Sequence, residues 1–456
     1  MNSNDQRTTE GGGPGKDSGG SGKERGGSGK DVGGLGSLAI LADNFSILRK
    51  RDMRVYFSGQ TISLVGDWMQ QTAQAWVVWE LTHSATSLGV VAFFSQIPFF
   101  LFGPWVGVLT DRFDRRKILL LTQSLIMLFA FILAALVQGH LLILWHVYVL
   151  AFLLGIVTAF DVTAEQAFIG DIAGPGNIRK GIALNNSLTQ LTRLIGPSLA
   201  GWLIASAGLA PAFWLNGASI LIAIFCIVAV RSRPVVKEPT GNGWAQFKEG
   251  LLFFRKHGLL RLIVLFAGIQ AFFGLSTIQL LPAFSTIVLK GNAATLGKLL
   301  GAAGAGALIG IVVVLPFVQR IKLPCVAIGG ALIWAGAWYI LFSFTSDLYL
   351  AIFCQFMTSL GAANVVTLSV GLAQELTPPG LRARIVSVFL MVIFGLQPVA
   401  SYLVGRGADR FGLHIMILVN GAFMVLLPAL MLAIPRLHRL KTTGQGGAVG
   451  DRCIGF

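Results

Sequence analysis

From about residue 54 to residue 434 the chain repeats one pattern, an apolar run of about 20 residues or more followed by a short polar break. A helix of that length crosses a hydrocarbon core of roughly 30 Å. The breaks bound predicted membrane segments near residues 54–80, 86–109, 117–138, 143–171, 181–207 and 211–231. A second set is predicted near 260–288, 295–319, 323–344, 347–374, 384–406 and 413–435. The pattern therefore predicts an all-α membrane protein with twelve transmembrane helices in two pseudo-symmetric six-helix halves, 54–231 and 260–436.

The remaining segments are polar. Residues 1–36 form a Gly/Ser/Lys tail expected to be disordered, and 37–53 lead into the first helix. In the tail, Gly15-Lys16-Asp17, Gly22-Lys23-Glu24 and Gly29-Lys30-Asp31 echo one another, but each Lys is followed by an acid rather than Ser or Thr. No strand precedes them, so a phosphate-binding loop is not expected. The linker 232–259 carries Trp244, Phe247, Leu251 and Phe254 beside Lys248, Arg255 and Lys256, a spacing that predicts an amphipathic helix on the cytoplasmic face. Residues 437–456 are read as a cytoplasmic tail.

Composition agrees: 54% of residues are hydrophobic and only 12% charged, and the mean hydropathy is +0.73, which no water-soluble domain shows. The net charge of +15 changes the picture only through its placement. Nucleic-acid binding needs basic residues clustered on an exposed face with stacking aromatics. Here they occupy every second loop, as in Arg49–Arg54, Arg112–Lys117, Arg179–Lys180, Arg231–Lys237, Arg320–Lys322, Arg382–Arg384 and Arg436–Lys441, while the alternate loops are mostly poor in them, the exceptions being Lys290 and Lys298 around one and Arg406 and Arg410 in another. Basic flanks resist translocation, so these loops and both termini are expected to be cytoplasmic, with the protein in the cytoplasmic membrane, its partner the lipid bilayer rather than nucleic acid. No secretory signal follows Met1, so the helices themselves are expected to direct insertion. Cys226, Cys325, Cys354 and Cys453 are isolated, which predicts neither a metal site nor a disulfide framework, and no cofactor motif occurs. No clustered nucleophile and base suggests an enzyme.

An internal repeat supports the two halves. Asp161 to Asn216 can be laid over Asn364 to Asn420, so that Asp171 meets Glu375, Pro197 meets Pro398, and Asn216-Gly217-Ala218 meets Asn420-Gly421-Ala422. Parallel repeats of this kind place a substrate path at their interface, near the middle of the membrane.

The loop after the second segment reads Gly107-Val108-Leu109-Thr110-Asp111-Arg112-Phe113-Asp114-Arg115-Arg116. This resembles the signature loop of the major facilitator superfamily, G-x-L-x-D-R-x-x-R-R. The resemblance covers everything after the tail and implies that Gly107, Asp111, Arg112, Arg115 and Arg116 belong to a cytoplasmic gating latch, with Asp171 or Glu375 as acidic partners of the arginines. Asp114 stands where many members have Gly. In the fifth segment, Gly196-Pro197-Ser198-Leu199-Ala200-Gly201 is similar to the antiporter signature of drug exporters, and Gly196, Pro197 and Gly201 are expected to bend the helix and allow close packing. The stretches Phe57-Ser58-Gly59-Gln60, Gly66-Asp67-Trp68, Ala159-Phe160-Asp161 and Phe213-Trp214-Leu215-Asn216 resemble the branch containing enterobactin and macrolide exporters, which implies efflux of a bulky, partly apolar molecule. The Arg that many exporters carry before the glycine of the fourth helix is replaced by Ala151, four residues before Gly155.

Ionisable groups inside a membrane are costly and mark function. Asp67, Asp161, Glu165 and Arg193 are the candidates for proton coupling. Gln60, Ser63, Asp67, Gln70 or Gln71, and Gln74 recur at helical spacing and form one polar stripe. Asp161 and Glu165 lie four residues apart on one helix face, where like charges repel unless one is protonated or a cation lies nearby. Arg193, with Asn186 and Gln190 on its face, is a candidate for that cation. Gln270, Gln279, Gln355 and Asn364 complete the expected cavity lining from the second half. The expected function is proton antiport, exporting a small amphipathic compound by alternating access, from a protein expected to be a monomer. Uptake by symport is the competing expectation.

Overall fold

In the computed structural model the described residues are 45–231 and 257–433, apart from Pro175, Lys322, Pro379 and Gly380. The predicted tail, the linker helix around Trp244 and Phe254, and the C-terminal segment 437–456 lie outside the described residues.

All regular structure among those residues is helical. After a short turn at Ser46–Arg49 come α1 (Arg51–Thr82), α2 (Ala85–Arg112), α3 (Arg115–Gln138), α4 (Leu144–Ala173), α5 (Ile178–Ala207) and α6 (Ala210–Ala229). The second set comprises α7 (Gly258–Ile278), α8 (Leu281–Ile287), α9 (Ala293–Val318), α10 (Pro324–Phe344), α11 (Leu348–Glu375), α12 (Arg382–Phe411) and α13 (Leu413–Ala433). Polar residues begin several of them: Ser84 caps α2 by accepting from the Ser87 N–H, Asp114 caps α3 and Asp347 caps α11. Gly208, at φ 85°, and Gly412, at φ 95°, end α5 and α12 in a backbone conformation that a side chain would strain.

Among the described residues, ten helices are long and apolar enough to cross a membrane. The long helices α1 and α5 are not among them, because α1 carries the polar stripe and α5 carries Asn, Thr, Gln and Arg side chains along its length. Both helices carry polar side chains along their length that the more apolar helices lack in such number.

Two predicted segments are irregular. The segment predicted over 260–288 is split: α7 widens over Gln270–Leu275 and stops at Ile278, and α8 restarts at Leu281 with Pro282 in its first turn. Proline lacks an N–H and its ring clashes with the carbonyl four residues back, which here is Ile278. The widened turn frees the Gly274 carbonyl, and Tyr339 Oη of α10 donates to it at 3.1 Å. In α9 the same cause, Pro316, sits just beyond a widened turn at Gly310–Val314.

Within the first set α1 lies against α5 and α6, α3 against α4 and α6, and α2 against α4; in the second, α10 lies against α11 and α13, and α9 against α11. Two seams join the sets, α2 on α12 and α5 on α9. The aligned asparagines play matching parts: Asn216 Nδ2 of α6 donates to Gln70 Oε1 of α1 at 2.9 Å, and Asn420 Nδ2 of α13 donates to Thr277 Oγ1 of α7 at 2.8 Å. Glycines set the seam distances. Gly304 of α9 lies against the Leu194 backbone of α5, whereas Gly306 and Gly310 face α11 at Phe356 and Leu360.

Candidate functional site

The polar stripe of α1 points into the first helix set. Gln60, Ser63, Gln70 and Gln74 are buried, while Asp67 and Gln71 are exposed. Asp67 stands mid-helix, with Ser63 and Gln70 buried and Gln71 exposed around it, so its exposure is not that of a helix end. Its carboxylate accepts from Asn216 Nδ2 at 3.4 Å.

Two buried carboxylates of α4 complete the cluster. Asp161 accepts from Thr122 Oγ1 at 2.6 Å and from Gln123 Nε2 at 3.1 and 3.2 Å. Glu165 accepts from Gln60 Nε2 at 2.8 Å and from Tyr56 Oη at 3.3 Å, with Asn185 as a further partner. Asp161 lies within electrostatic reach of both Asp67 and Glu165. The geometry thus gathers three acids from α1 and α4 with neutral donors from α1, α3, α5 and α6. Neutral donors orient carboxylates without neutralising them, which leaves protons as the natural counter-charge in a low-dielectric setting.

Arg193 is placed elsewhere. Its guanidinium sits 5.4 Å from the centre of the Trp68 ring, and the ionisable group it faces is Tyr339 of α10 in the second set. No carboxylate pairs with it among the described residues. Asn186 is exposed and Gln190 half-buried on the same helix. Across the seam, Gln270, Gln355 and Asn364 are buried and Gln279 is half-buried in the turn after α7. The side-chain oxygens of Gln270 and Asn364 find no donor among the described residues.

The sequence reading missed Tyr56, Thr122, Gln123 and Asn185. Thr122 and Gln123 had a visible signal, a polar pair inside the otherwise apolar run of α3. Tyr56 and Asn185 carried none, because a Tyr near a membrane edge and a second Asn beside Asn186 are unremarkable in one dimension.

Of the expected gating residues, Arg115 Nη1 pairs with Asp171 Oδ1 at 2.7 Å, and both side chains are mostly buried. Arg116 donates to the Val228 carbonyl at the end of α6, and its N–H is capped by Asp114. The side chains at Gly107, Asp111 and Arg112 lie outside the described residues, and Glu375 is exposed at the end of α11. Gly196 abuts Trp68 and Val65 of α1, while the Pro197 carbonyl and Gly201 abut Gly297 of α9. The bend motif therefore lies in a seam between the two sets.

A helical membrane bundle with an interior acid cluster is the form of a solute transporter. The chain belongs to the transmembrane secretion effector family of the major facilitator superfamily, whose family model matches residues 42–445. It is 22% identical over 395 residues to the staphyloferrin A transporter of Staphylococcus aureus, covering 85% of this chain and 97% of that protein. It is 23% identical over 393 residues to macrolide efflux protein A of Streptococcus pyogenes, covering 84% and 96%. Its fold is similar to that of a mutant form of the nucleoside transporter NupG, with a TM-score of 0.68, 12% identity and coverage of 84% of this chain and 98% of that one. The protein is a multi-pass membrane transporter.

Proposed function

We propose that this transporter exports a small amphipathic organic compound, of siderophore or drug-like character, in exchange for protons. Two six-helix halves, α1–α6 and α7–α13 with α7 and α8 forming one broken crossing, rock about a central crevice, and both termini are cytoplasmic. The single observation that carries this reading is the exposure of Asp67 amid a buried polar stripe, beside the Asp161 and Glu165 carboxylates. A carboxylate open to water in mid-bundle can exchange protons; two more within electrostatic reach let that exchange be felt on α4. Arg193 and Trp68 offer a cation and an aromatic face to the cargo, and the free amide oxygens of Gln270 and Asn364 offer acceptors from the other half. Such a lining suits a molecule with an apolar body and acidic or hydroxylated ends. The names of the relatives, a siderophore transporter and a macrolide efflux protein, support organic cargo of this size.

The test is transport in membrane vesicles of known orientation. Inverted vesicles with an acidic interior are expected to accumulate siderophore or macrolide cargo, and a protonophore to abolish it. Accumulation confined to right-side-out vesicles would replace export with uptake.

A further inference from the structure

α2 begins where α12 ends. Ala85 lies against Gly405, Gly89 against Ser401, and farther along Phe99 packs on Phe394 with ring centres 4.7 Å apart, so the two helices run antiparallel in contact. At their shared end, Asp409 in the last turn of α12 reaches onto the first turn of α2. Its Oδ1 accepts the Ala85 N–H at 2.8 Å; its Oδ2 accepts the Thr86 N–H at 2.8 Å, Thr86 Oγ1 at 2.6 Å and Ser84 Oγ at 2.7 Å. The adjacent Arg406 and Arg410 turn instead to Tyr402 and Phe411.

The first N–H groups of a helix lack intrahelical partners and carry partial positive charge. Here α2 has its own cap, Ser84, for the Ser87 N–H, yet two further N–H groups are taken by a carboxylate from the other helix set. Asp409 is exposed, so water can replace these bonds when they part, unlike a buried pair whose separation strands a charge. A contact that is charge-assisted when made and readily hydrated when broken suits a joint that must open and close.

We propose that Asp409 is an outer latch. It holds the α2–α12 seam shut at the end away from the basic loops and lets go when the crevice opens there. The proposal rests on the two-state cycle given above. The sequence repeats the device: Gly107-Val108-Leu109-Thr110-Asp111-Arg112-Phe113 closes α2, and Gly405-Arg406-Gly407-Ala408-Asp409-Arg410-Phe411 closes α12, both of the form G-x-x-x-D-R-F. Because the helices are antiparallel, the register that brings Asp409 to the start of α2 also carries position 111 toward the start of α12. One helix pair thus bears a carboxylate position near each end.

The test places spin labels at Leu141, in the α3–α4 loop, and Tyr349, in the first turn of α11, 66% and 81% exposed at the latched end. Cys226, Cys325, Cys354 and Cys453 are first replaced by Ser, and the full chain is reconstituted in bilayers. Asp409→Ala and Asp409→Asn are expected to raise the ratio of long to short distances about tenfold, equivalent to ~1.4 kcal/mol. Thr86→Val is expected to raise it less, and Asp409→Glu to restore part of the closed population, which a purely structural role would not do. A parent that samples both distances as cargo or pH is varied, with both Asp409 variants matching it, would overturn the latch and leave the cycle standing. A single distance in the parent under every condition would overturn the cycle and the latch together.

Discussion

Gln60 Nε2 donates to Glu165 Oε1 across 2.8 Å, tying the polar stripe of α1 to the acid of α4. The amide is a donor that prefers a charged acceptor, so the bond is strongest when Glu165 is ionised and weakens when it is protonated. If Glu165 loads a proton as proposed, the loss of that charge loosens the tie between α1 and α4.

Replacing Glu165 with Gln removes the titratable oxygen while keeping a side chain of nearly the same shape. Transport driven by a pH gradient is expected to fall about tenfold or more, a difference of at least ~1.4 kcal/mol. Exchange of labelled for unlabelled cargo without a gradient is expected to persist. Flux in proteoliposomes with and without a gradient measures both; equal loss of the two would mean that Glu165 serves only to hold the bundle.

Arg193 is expected to act on cargo rather than on the acids. Arg193→Gln should weaken binding of a carboxylate-bearing cargo about tenfold through the lost charge-assisted bond, with Arg193→Lys intermediate, and leave a neutral macrocycle nearly unchanged. Titration calorimetry with an acidic and a neutral ligand on each variant provides the comparison.

Much of this arrangement was legible in one dimension. The apolar runs located the helices because a membrane demands length and hydrophobicity that few other contexts need, and Asn216 and Asn420, which align in the sequence, each bridge to another helix, α1 and α7 respectively. Partner choice was not legible. Arg193 lies on α5 at a position that permits an acidic neighbour, yet it sits beside Trp68 of α1 and faces Tyr339 of α10. Likewise Thr122 and Gln123 reach Asp161 only because α3 lies against α4. Azimuth around a helix and the identity of the neighbouring helix are tertiary facts. The break before Pro282 had a local cause, but the apolar run on both sides masked it.

The α5–α9 seam offers a packing test. A Cβ at Gly201 would collide with the Ala293 carbonyl and the Gly297 backbone, neither of which can swing aside as a side chain does. Gly201→Val is expected to destabilise the closed seam by about 1–3 kcal/mol, in the range of other small-to-large changes at tight contacts. Thermal unfolding in detergent reads the loss, and Ser198→Ala, at an exposed position one turn away, is expected to be nearly silent.

The account turns on water reaching Asp67 from within the bundle. In a chain whose four native cysteines are replaced by Ser, Asp67→Cys labelled with a membrane-impermeant thiol reagent measures this directly. The expected result is modification from the side bearing the basic loops, with protection or reversed sidedness when cargo is added. Failure of the reagent to reach position 67 from either side, in a variant that inserts and folds normally, would contradict it.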